Sequence, residues 1–450
     1  MRKLKAMLSS RAMLTAVSLL IQFGIIFLIQ IRFSYLFIYY YFITFALAVL
    51  LRIRVINREF NSGYKIGWVL LLLILPPFGT IIYVMLNGDT FKTVSTKRLD
   101  KITSSYNERL NDKNSMEFDS DYARLQSEYI KRYGGGTPVK NTESKYFKTG
   151  EEFFKSLLCD LESAKHHIYL EYFIIRKGYM WDKIKEILVK KVAEGVSIRI
   201  LVDDFGSIDG FSRKEKKSIK ASGIDIRFFN PFVPIISTML NNRDHRKICV
   251  IDSVVAYCGG VNVADEYINL DSKYGYFKDS AIALYGEAAY TFECFFNSLW
   301  EYASGEKTES IKPSCENKDN GIFQPYRDSP TDNEYVGKTV YLNIINRAEK
   351  YLYISTPYFV VDDEILTSIL NSAKSGVDVR LILPHIPDKF LVNQVAKSHY
   401  KKLLCAGVKV YEFKEGFNHS KLVLTDDKIA TVGSVNFDYR SFYLSFECGV

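Results

Sequence analysis

The segment "HRKICVIDSVVAYCGGVN", starting at His245, returns as "HSKLVLTDDKIATVGSVN", starting at His419. In both copies Lys follows His by two residues, Asp follows Lys by five, Gly follows His by 14 and Asn follows His by 17. Matched offsets for five residue types point to two copies of one structural unit. The flanks repeat as well. "AKHHIYLEYFII" (164–175) is echoed by "AEKYLYISTPYFVV" (348–361), "EGVSIRILVDD" (194–204) by "SGVDVRLILPH" (375–385), and "ASGIDIRFF" (221–229) by "CAGVKVYEF" (405–413). Runs such as "IRILVDD" and "KICVID" read as strands, and "WDKIKEILVKKVAEG" as a helix capped at Gly195. The expected fold class is α/β, with two similar mixed-sheet domains in a pseudo-twofold arrangement around one cleft.

On a strand of period two, His and Lys of each motif leave the same face. One motif is then half a site, and two facing motifs make a whole one. Lys247, Lys421, Asn262 and Asn436 would hold the non-bridging oxygens of a phosphodiester. One histidine, His245 or His419, would attack phosphorus and form a phosphohistidine. The other would protonate the leaving oxygen and then deprotonate the acceptor. A nucleophilic imidazole needs its second nitrogen held by an acceptor. Asp279, 34 residues after His245, and Glu447, 28 after His419, are the candidates. Asp252 and Asp426 complete the catalytic motifs and are expected to supply structural hydrogen bonds at the edge of the site. Gly259, Gly260 and Gly433 allow close backbone approach. His166 and His167 are expected in a turn or on the surface, because the repeat replaces them with Lys350 and Tyr351. His385 and His399 have no counterpart in the repeat. No His/Cys spacing fits zinc, and no metal or cofactor is called for. The seven cysteines form no CxxC pair and read as small buried hydrophobes.

Three apolar runs precede this region: 13–31, 33–51 and 67–86. Each is close to the ~20 residues that span a bilayer. The third carries Pro76 and Pro77, which break the helical ladder, so it is expected to kink or re-enter as an alternative to crossing. Arg2, Lys3, Lys5 and Arg11 before the first run, and Arg52, Arg54, Arg58 and Lys65 before the third, outweigh the lone Arg32 between the first two. The N-terminus and second loop should therefore face the cytoplasm. A crossing third run would put the large domain outside; a dip would leave it inside. The net charge of +8 suits anionic lipid better than nucleic acid, given these runs. The expected organisation is a membrane segment (1–90), a polar linker with a helix (91–140) and two catalytic domains (141–320 and 321–450).

The doubled motif with "GGVN" and "GSVN", together with "LEYFII", "DDFGS", "FFNPF", "STPYF", "GGVNVADEY" and "GSVNFDYRSFYLSFE", resembles the phospholipase D superfamily. More narrowly, it is similar to bacterial cardiolipin synthases, whose N-terminal hydrophobic module "WVLLLLILPPFGTIIYVMLNG" also resembles. The likeness covers residues 67–450. It implies the phospholipase D fold behind N-terminal transmembrane helices in a bacterial cell membrane, multi-pass. It also implies metal-free phosphatidyl transfer between two phosphatidylglycerol molecules, giving cardiolipin and glycerol. His245, Lys247, Asp252 and Asn262 would form one half-site, and His419, Lys421, Asp426 and Asn436 the other, with His245 favoured as nucleophile. A membrane-bound hydrolase using water, or a transferase using another alcohol, would share every motif; a scaffold without activity would share the fold. The first copy continues past Asp279 into "AAYTFECFFNSLWEYAS", whereas three residues follow Glu447, so internal symmetry expects a further strand and helix there.

Overall fold

The computed structural model describes residues 20–450 except 22–23, 26, 29–30, 33–36, 59–61, 87–88, 111–115, 209, 212, 232–241, 309, 311, 314–318 and 333. The chain divides into two compact units. One is Met1–Ser95 with Phe232–Asn241, and the other is Thr96–Pro231 with Asn242–Val450.

In the first unit, helices Phe37–Asn57, Ser62–Ile74 and Pro76–Leu86 pack around Ala48, Leu51, Val55, Leu72 and Tyr83, with Trp68 edge-on to Tyr83 at 5.1 Å. The 67–86 run does break at its prolines. Pro76 has no N–H to give the preceding turn, so it opens a new helix instead. No described helix is long and apolar enough to cross a membrane. The straight span expected of the 33–51 run is therefore not found among the described helices, while the break expected of the 67–86 run is. The second run becomes a helix that takes in Arg52 and Arg54, and the third is cut in two. Most of the 13–31 run lies outside the described residues.

In chain order, the first half of the second unit contributes β1 (Val139–Phe147), β2 (His167–Tyr172), β3 (Ser197–Asp203), β4 (Asp225–Phe229), β5 (Arg243–Asp244), β6 (Lys247–Ile251), β7 (Val255–Gly259), β8 (Tyr276–Lys278), β9 (Ala281–Gly286) and β10 (Asp319–Phe323). The second half contributes β11 (Tyr326–Asp328), β12 (Tyr351–Ser355), β13 (Phe359–Val360), β14 (Asp378–Pro384), β15 (Lys409–Phe413), β16 (Gly416–Asn418), β17 (Leu422–Thr425), β18 (Ile429–Val432), β19 (Phe437–Asp438) and β20 (Ser445–Gly449). The first sheet runs β10-β1-β9-β7-β6-β2-β3-β4 and the second β15-β14-β12-β17-β18. The order β4-β3-β2-β6-β7 is thus repeated as β15-β14-β12-β17-β18. In both, parallel strands end beside the start of an antiparallel hairpin that carries the motif. Helix Glu287–Ser304 covers the first sheet with buried Phe292, Phe296 and Trp300, as its apolar sequence leads one to expect.

The stretch 91–140 is more than a linker. Helix Asp89–Leu110 places Leu99, Ile102, Tyr106 and Leu110 in the core shared with helix Glu287–Ser304. Their spacing of three and four puts them on one helical face. At the other end of the chain, Val432 and Val450 exchange backbone hydrogen bonds and Gly433 bridges Gly449. Gly449 therefore stands where Ala281 stands opposite Gly259 in the first half.

The halves are joined by strands from both. β5 pairs in parallel with β20, and β16 with β8. The residue after each short strand is the motif histidine. His245 N–H donates to Phe446 O at 2.9 Å, and His419 N–H to Lys278 O at 2.6 Å.

Asp252 and Asp426 lie at the far end of the motif hairpins, so the expectation that they edge the site is corrected. Asp252 stands five positions beyond Lys247 along the strand, about 16 Å of extended chain. The carboxylate of Asp252 accepts backbone N–H groups of Lys165, His166 and His167, and that of Asp426 those of Glu349, Lys350 and Tyr351. Each also opens a turn whose two central residues have positive φ: 52° and 62° at Asp252–Ser253, 55° and 56° at Asp426–Asp427. That is the pattern of a mirror-type hairpin turn, for which Asp is suited. Asp426→Ala should leave three N–H groups without their acceptor and lower stability by about 2–4 kcal/mol. Asp426→Asn, which keeps an acceptor and tolerates positive φ, should cost less. Thermal unfolding of the purified variants checks the order.

Candidate active site

Each motif histidine is held by the other half. His245 Nδ1 lies 2.9 and 3.0 Å from the two carboxylate oxygens of Glu447, and His419 Nδ1 lies 2.7 Å from Asp279 Oδ2. The crossing follows from the strand pairs. β20 carries Glu447 alongside the approach to His245, and β8 delivers Asp279 alongside the approach to His419. Donation of Nδ1–H to a carboxylate assigns the tautomer and leaves Nε2 with its lone pair. Lys247 and Lys421 each donate to the carbonyl of their own histidine, and Lys421 Nζ also sits 2.8 Å from His419 Nδ1. Phe173 lies 5.1 Å from the His245 ring, while Phe277, Tyr267 and Phe417 surround His419 at 5.3, 5.5 and 5.7 Å.

The two carboxylates are seated differently. Glu447 receives hydroxyls from Ser434 and, at 2.7 Å, Ser441. Asp279 receives the Ser280 N–H at 2.8 Å. Position 260 must be Gly, since a Cβ there would fall 2.1 Å from Asp279 Oδ1. The repeat has Ser434 at the matching place, where its hydroxyl reaches the carboxylate instead.

Burial governs the electrostatics. It pushes His245 well below its usual value, helped by Lys247, Lys421, Arg440 and Lys389. It pushes His419 down to about 4, with Lys421 adding to the effect. Burial also lowers Lys247 to about 8 and Lys421 to about 7, against the attraction of carboxylates that include Glu447 and Asp279. Glu447 is driven up to about 8 by burial, while Lys247 and the two serine hydroxyls hold it down. Each lysine is felt by the histidine of the opposite half. The two half-sites therefore share one electrostatic environment. Burial thus favours the uncharged form of both imidazoles. An entering phosphodiester anion reverses the balance, since negative charge favours protonated lysines and supplies a reason for one histidine to take up a proton.

The two asparagines are seated differently. Asn262 is already engaged: Oδ1 accepts from Ile174 N–H at 3.0 Å, and Nδ2 donates to Tyr267 Oη at 2.6 Å. One amide hydrogen is left for a ligand. Asn436 is buried with its Oδ1 unpartnered. The other histidines stay out of the site. His167 stacks on Tyr169 at 4.5 Å, His385 pairs with Glu412 at 2.8 Å, and His399 packs edge-on to Phe359. Four cysteines (249, 258, 294, 448) are buried, but Cys159 and Cys405 are exposed, and Cys315 lies outside the described residues.

Sequence reasoning missed Ser434 and Ser441, for which no spacing gave a signal, and a charged group behind the first motif. Arg246, fully buried, lies 2.6 Å from Glu171 Oε1 and 3.3 Å from Asp244 Oδ1. The second half has Ser420, Ser355 and Asn418 at these places, with Asn418 Nδ2 2.9 Å from Ser355 Oγ. A signal was available: the motif residue between His and Lys is Arg in one copy and Ser in the other.

Two outcomes are expected. Glu447→Gln and Asp279→Asn should each lower kcat by about 10³-fold or more with little change in KM, because an amide cannot fix the imidazole tautomer. Initial rates of phosphodiester turnover measure this. The anion needs cationic lysines, and these lose their protons in the free enzyme near pH 7 to 8. kcat/KM should therefore fall as pH rises above about 7, where Lys421 is the first to lose its proton. Lys421→Arg, always charged, should move that limb up toward the value of Lys247, about 8.

Comparison with known proteins identifies the family. The family model described as "Cardiolipin synthase, PLD-like domain" matches residues 157–300 and 341–450, and one described as a phospholipase D-nuclease N-terminal module matches residues 43–86. The chain is 35% identical over 399 residues to a cardiolipin synthase of Alkalihalophilus pseudofirmus, covering 84% of this chain and 77% of that one. It is 34% identical over 400 residues to cardiolipin synthase 2 of Bacillus anthracis, with 86% and 77% covered. An uncharacterized Streptococcus mutans protein is 39% identical over 406 residues, 87% of each chain. In fold, the structure is similar to a phosphatidylserine synthase of Haemophilus influenzae, with a TM-score of 0.55 at 15% identity over 72% of this chain and 86% of that one. With both motif halves inside the matched segments, the chain belongs to the cardiolipin synthase family of phospholipase D-like proteins.

Proposed function

We propose that this chain makes cardiolipin by phosphatidyl transfer between two phosphatidylglycerol molecules. The observation that carries the reading is the pair of buried imidazoles, each with Nδ1 given to a carboxylate of the opposite half and a lysine beside it. His245 is taken as the nucleophile, because its ring is the more open of the two, 15% exposed against 8%. Its Nε2 attacks phosphorus of the first lipid and the P–O bond to the headgroup glycerol breaks. His419, protonated once the anion is bound, gives its proton to that oxygen, and glycerol leaves. Now neutral, His419 takes the proton from a glycerol hydroxyl of the second lipid. That oxygen attacks phosphorus, the P–N bond breaks, and cardiolipin forms. One phosphodiester is exchanged for another, so the reaction needs no external energy source.

Lys247 and Lys421 are proposed to hold the non-bridging oxygens, with Asn436 and the remaining amide hydrogen of Asn262 as neutral donors. The halves 141–320 and 321–450 each give half the site. The N-terminal module is proposed to sit in the bacterial cell membrane. Phe42, Ile43 and Leu50 on one helix, and Leu73 and Ile74 before the proline break, are exposed apolar side chains that suit lipid. The broken pair Ser62–Ile74 and Pro76–Leu86 suits a dip into the bilayer better than a straight crossing.

The test uses phosphatidylglycerol vesicles labelled in the headgroup glycerol. Cardiolipin and free glycerol should appear in equal amounts, and His245→Ala and His419→Ala should each abolish cardiolipin formation. Phosphatidic acid in place of cardiolipin would make the enzyme a hydrolase. With lipid labelled at phosphorus, an acid-labile protein adduct should form in the His419→Ala variant and be absent from His245→Ala; the opposite pattern would exchange the two roles.

A further inference from the structure

We infer that the segment from Ile386 to Ser398 is an interfacial docking element, which inserts Phe390 and Leu391 into an anionic phospholipid bilayer and seats the mouth of the active site on the lipid surface. The inference rests on the lipid-substrate reading above and adds to it the surface by which substrate is reached.

The segment follows β14, a parallel strand whose C-terminal end lies on the same side of its sheet as the start of the motif hairpin. Its helix, Phe390–Ser398, is held from below by buried Ala396, part of the second-half core. Its other face carries Phe390 and Leu391, 69% and 77% exposed, with Val395 one turn beyond Leu391 also exposed. Two adjacent large apolar side chains at a helix start, this far in water, are a poor surface for a soluble face. Lysines flank them: Lys389, Lys397, Lys401 and Lys402, against the single Asp388, across residues 386–402. Apolar tips beside clustered lysines are complementary to acyl chains beneath anionic headgroups.

A chain of contacts ties this tip to the site. Lys389 Nζ lies 4.6 Å from the Tyr358 ring, which lies 6.2 Å from Phe417, itself 5.7 Å from the His419 ring. Tyr358 Oη also donates to Asp388 at 2.6 Å, fixing the start of the segment. The first half echoes the arrangement. Phe205, at the place in the repeat that Ile386 holds after β14, follows β3 and is likewise exposed. A second protein copy fits less well, because a protruding pair of side chains offers far less than the ~800 Å² per partner of a stable interface.

The test uses the full chain with Cys159, Cys315 and Cys405 changed to Ser, reconstituted in vesicles of equal parts phosphatidylglycerol and phosphatidylcholine. A polarity-sensitive fluorophore is placed at Leu391→Cys or, as control, at Ser375→Cys, exposed at the opposite end of β14. Lipids with nitroxide-labelled acyl chains should quench position 391 at least about twofold more than position 375. Equal quenching, or a blue-shifted probe at 391 that lipid nitroxides leave unquenched, would overturn the proposal, the latter in favour of a protein partner. Phe390→Ser with Leu391→Ser should also lower the rate on vesicles about tenfold more than the rate on detergent-dispersed lipid. Equal losses would mean that the segment supports the site itself and would overturn docking. Quenching is read without turnover, so a failure of cardiolipin synthesis leaves this result standing on its own.

Discussion

The molecule depends on two carboxylates that cross between its halves. Glu447 reaches His245 and Asp279 reaches His419, so neither half holds a finished catalytic group alone. The same crossing is built into the backbone, where β20 runs beside β5 and β8 beside β16. Buried ionisable groups are tolerated only when paired, and loss of one partner from such a pair costs about 3–5 kcal/mol. Association of the halves and assembly of the site are therefore one event. Separating them would take both carboxylates from their histidines and undo both half-sites together.

Burial then sets the chemistry. Imidazoles kept neutral are ready to act as nucleophile and base, and lysines with lowered affinity for protons regain full charge when an anion arrives. A site of this kind is strongly favourable only to a ligand that brings negative charge, which gives selectivity for phosphodiesters without a metal ion entering the argument. The halves are similar but not equal. Behind His245 lies the buried Arg246–Glu171–Asp244 group, and behind His419 its neutral replacement. Glu447 takes two serine hydroxyls where Asp279 takes a backbone N–H. Such differences give the two histidines different surroundings.

Helix Asp89–Leu110 shows how a polar sequence can carry a packing face. The stretch reads as a linker with a helix, and four apolar residues on one face are enough to dock that helix on the core beside helix Glu287–Ser304. The N-terminal runs show the reverse. They are apolar enough to suggest spans, but the prolines inside the third divide it into two helices, and the arginines just past the second are drawn into its helix and charge its end.

The sequence by itself determined the doubled α/β plan, the two His–Lys pairs and the need for a carboxylate behind each ring. These follow from local rules: strand periodicity puts His and Lys on one face, and fixed offsets mark a repeat. Only the tertiary structure decided which carboxylate serves which histidine, that Asn262 is half occupied by backbone, that Asp252 and Asp426 fold the far end of each hairpin, and that serines hold Glu447. Those outcomes depend on pairing between strands as many as 202 residues apart. Sequence spacing carries no term for such contacts, because they arise when two separately patterned sheets bury their edges against each other.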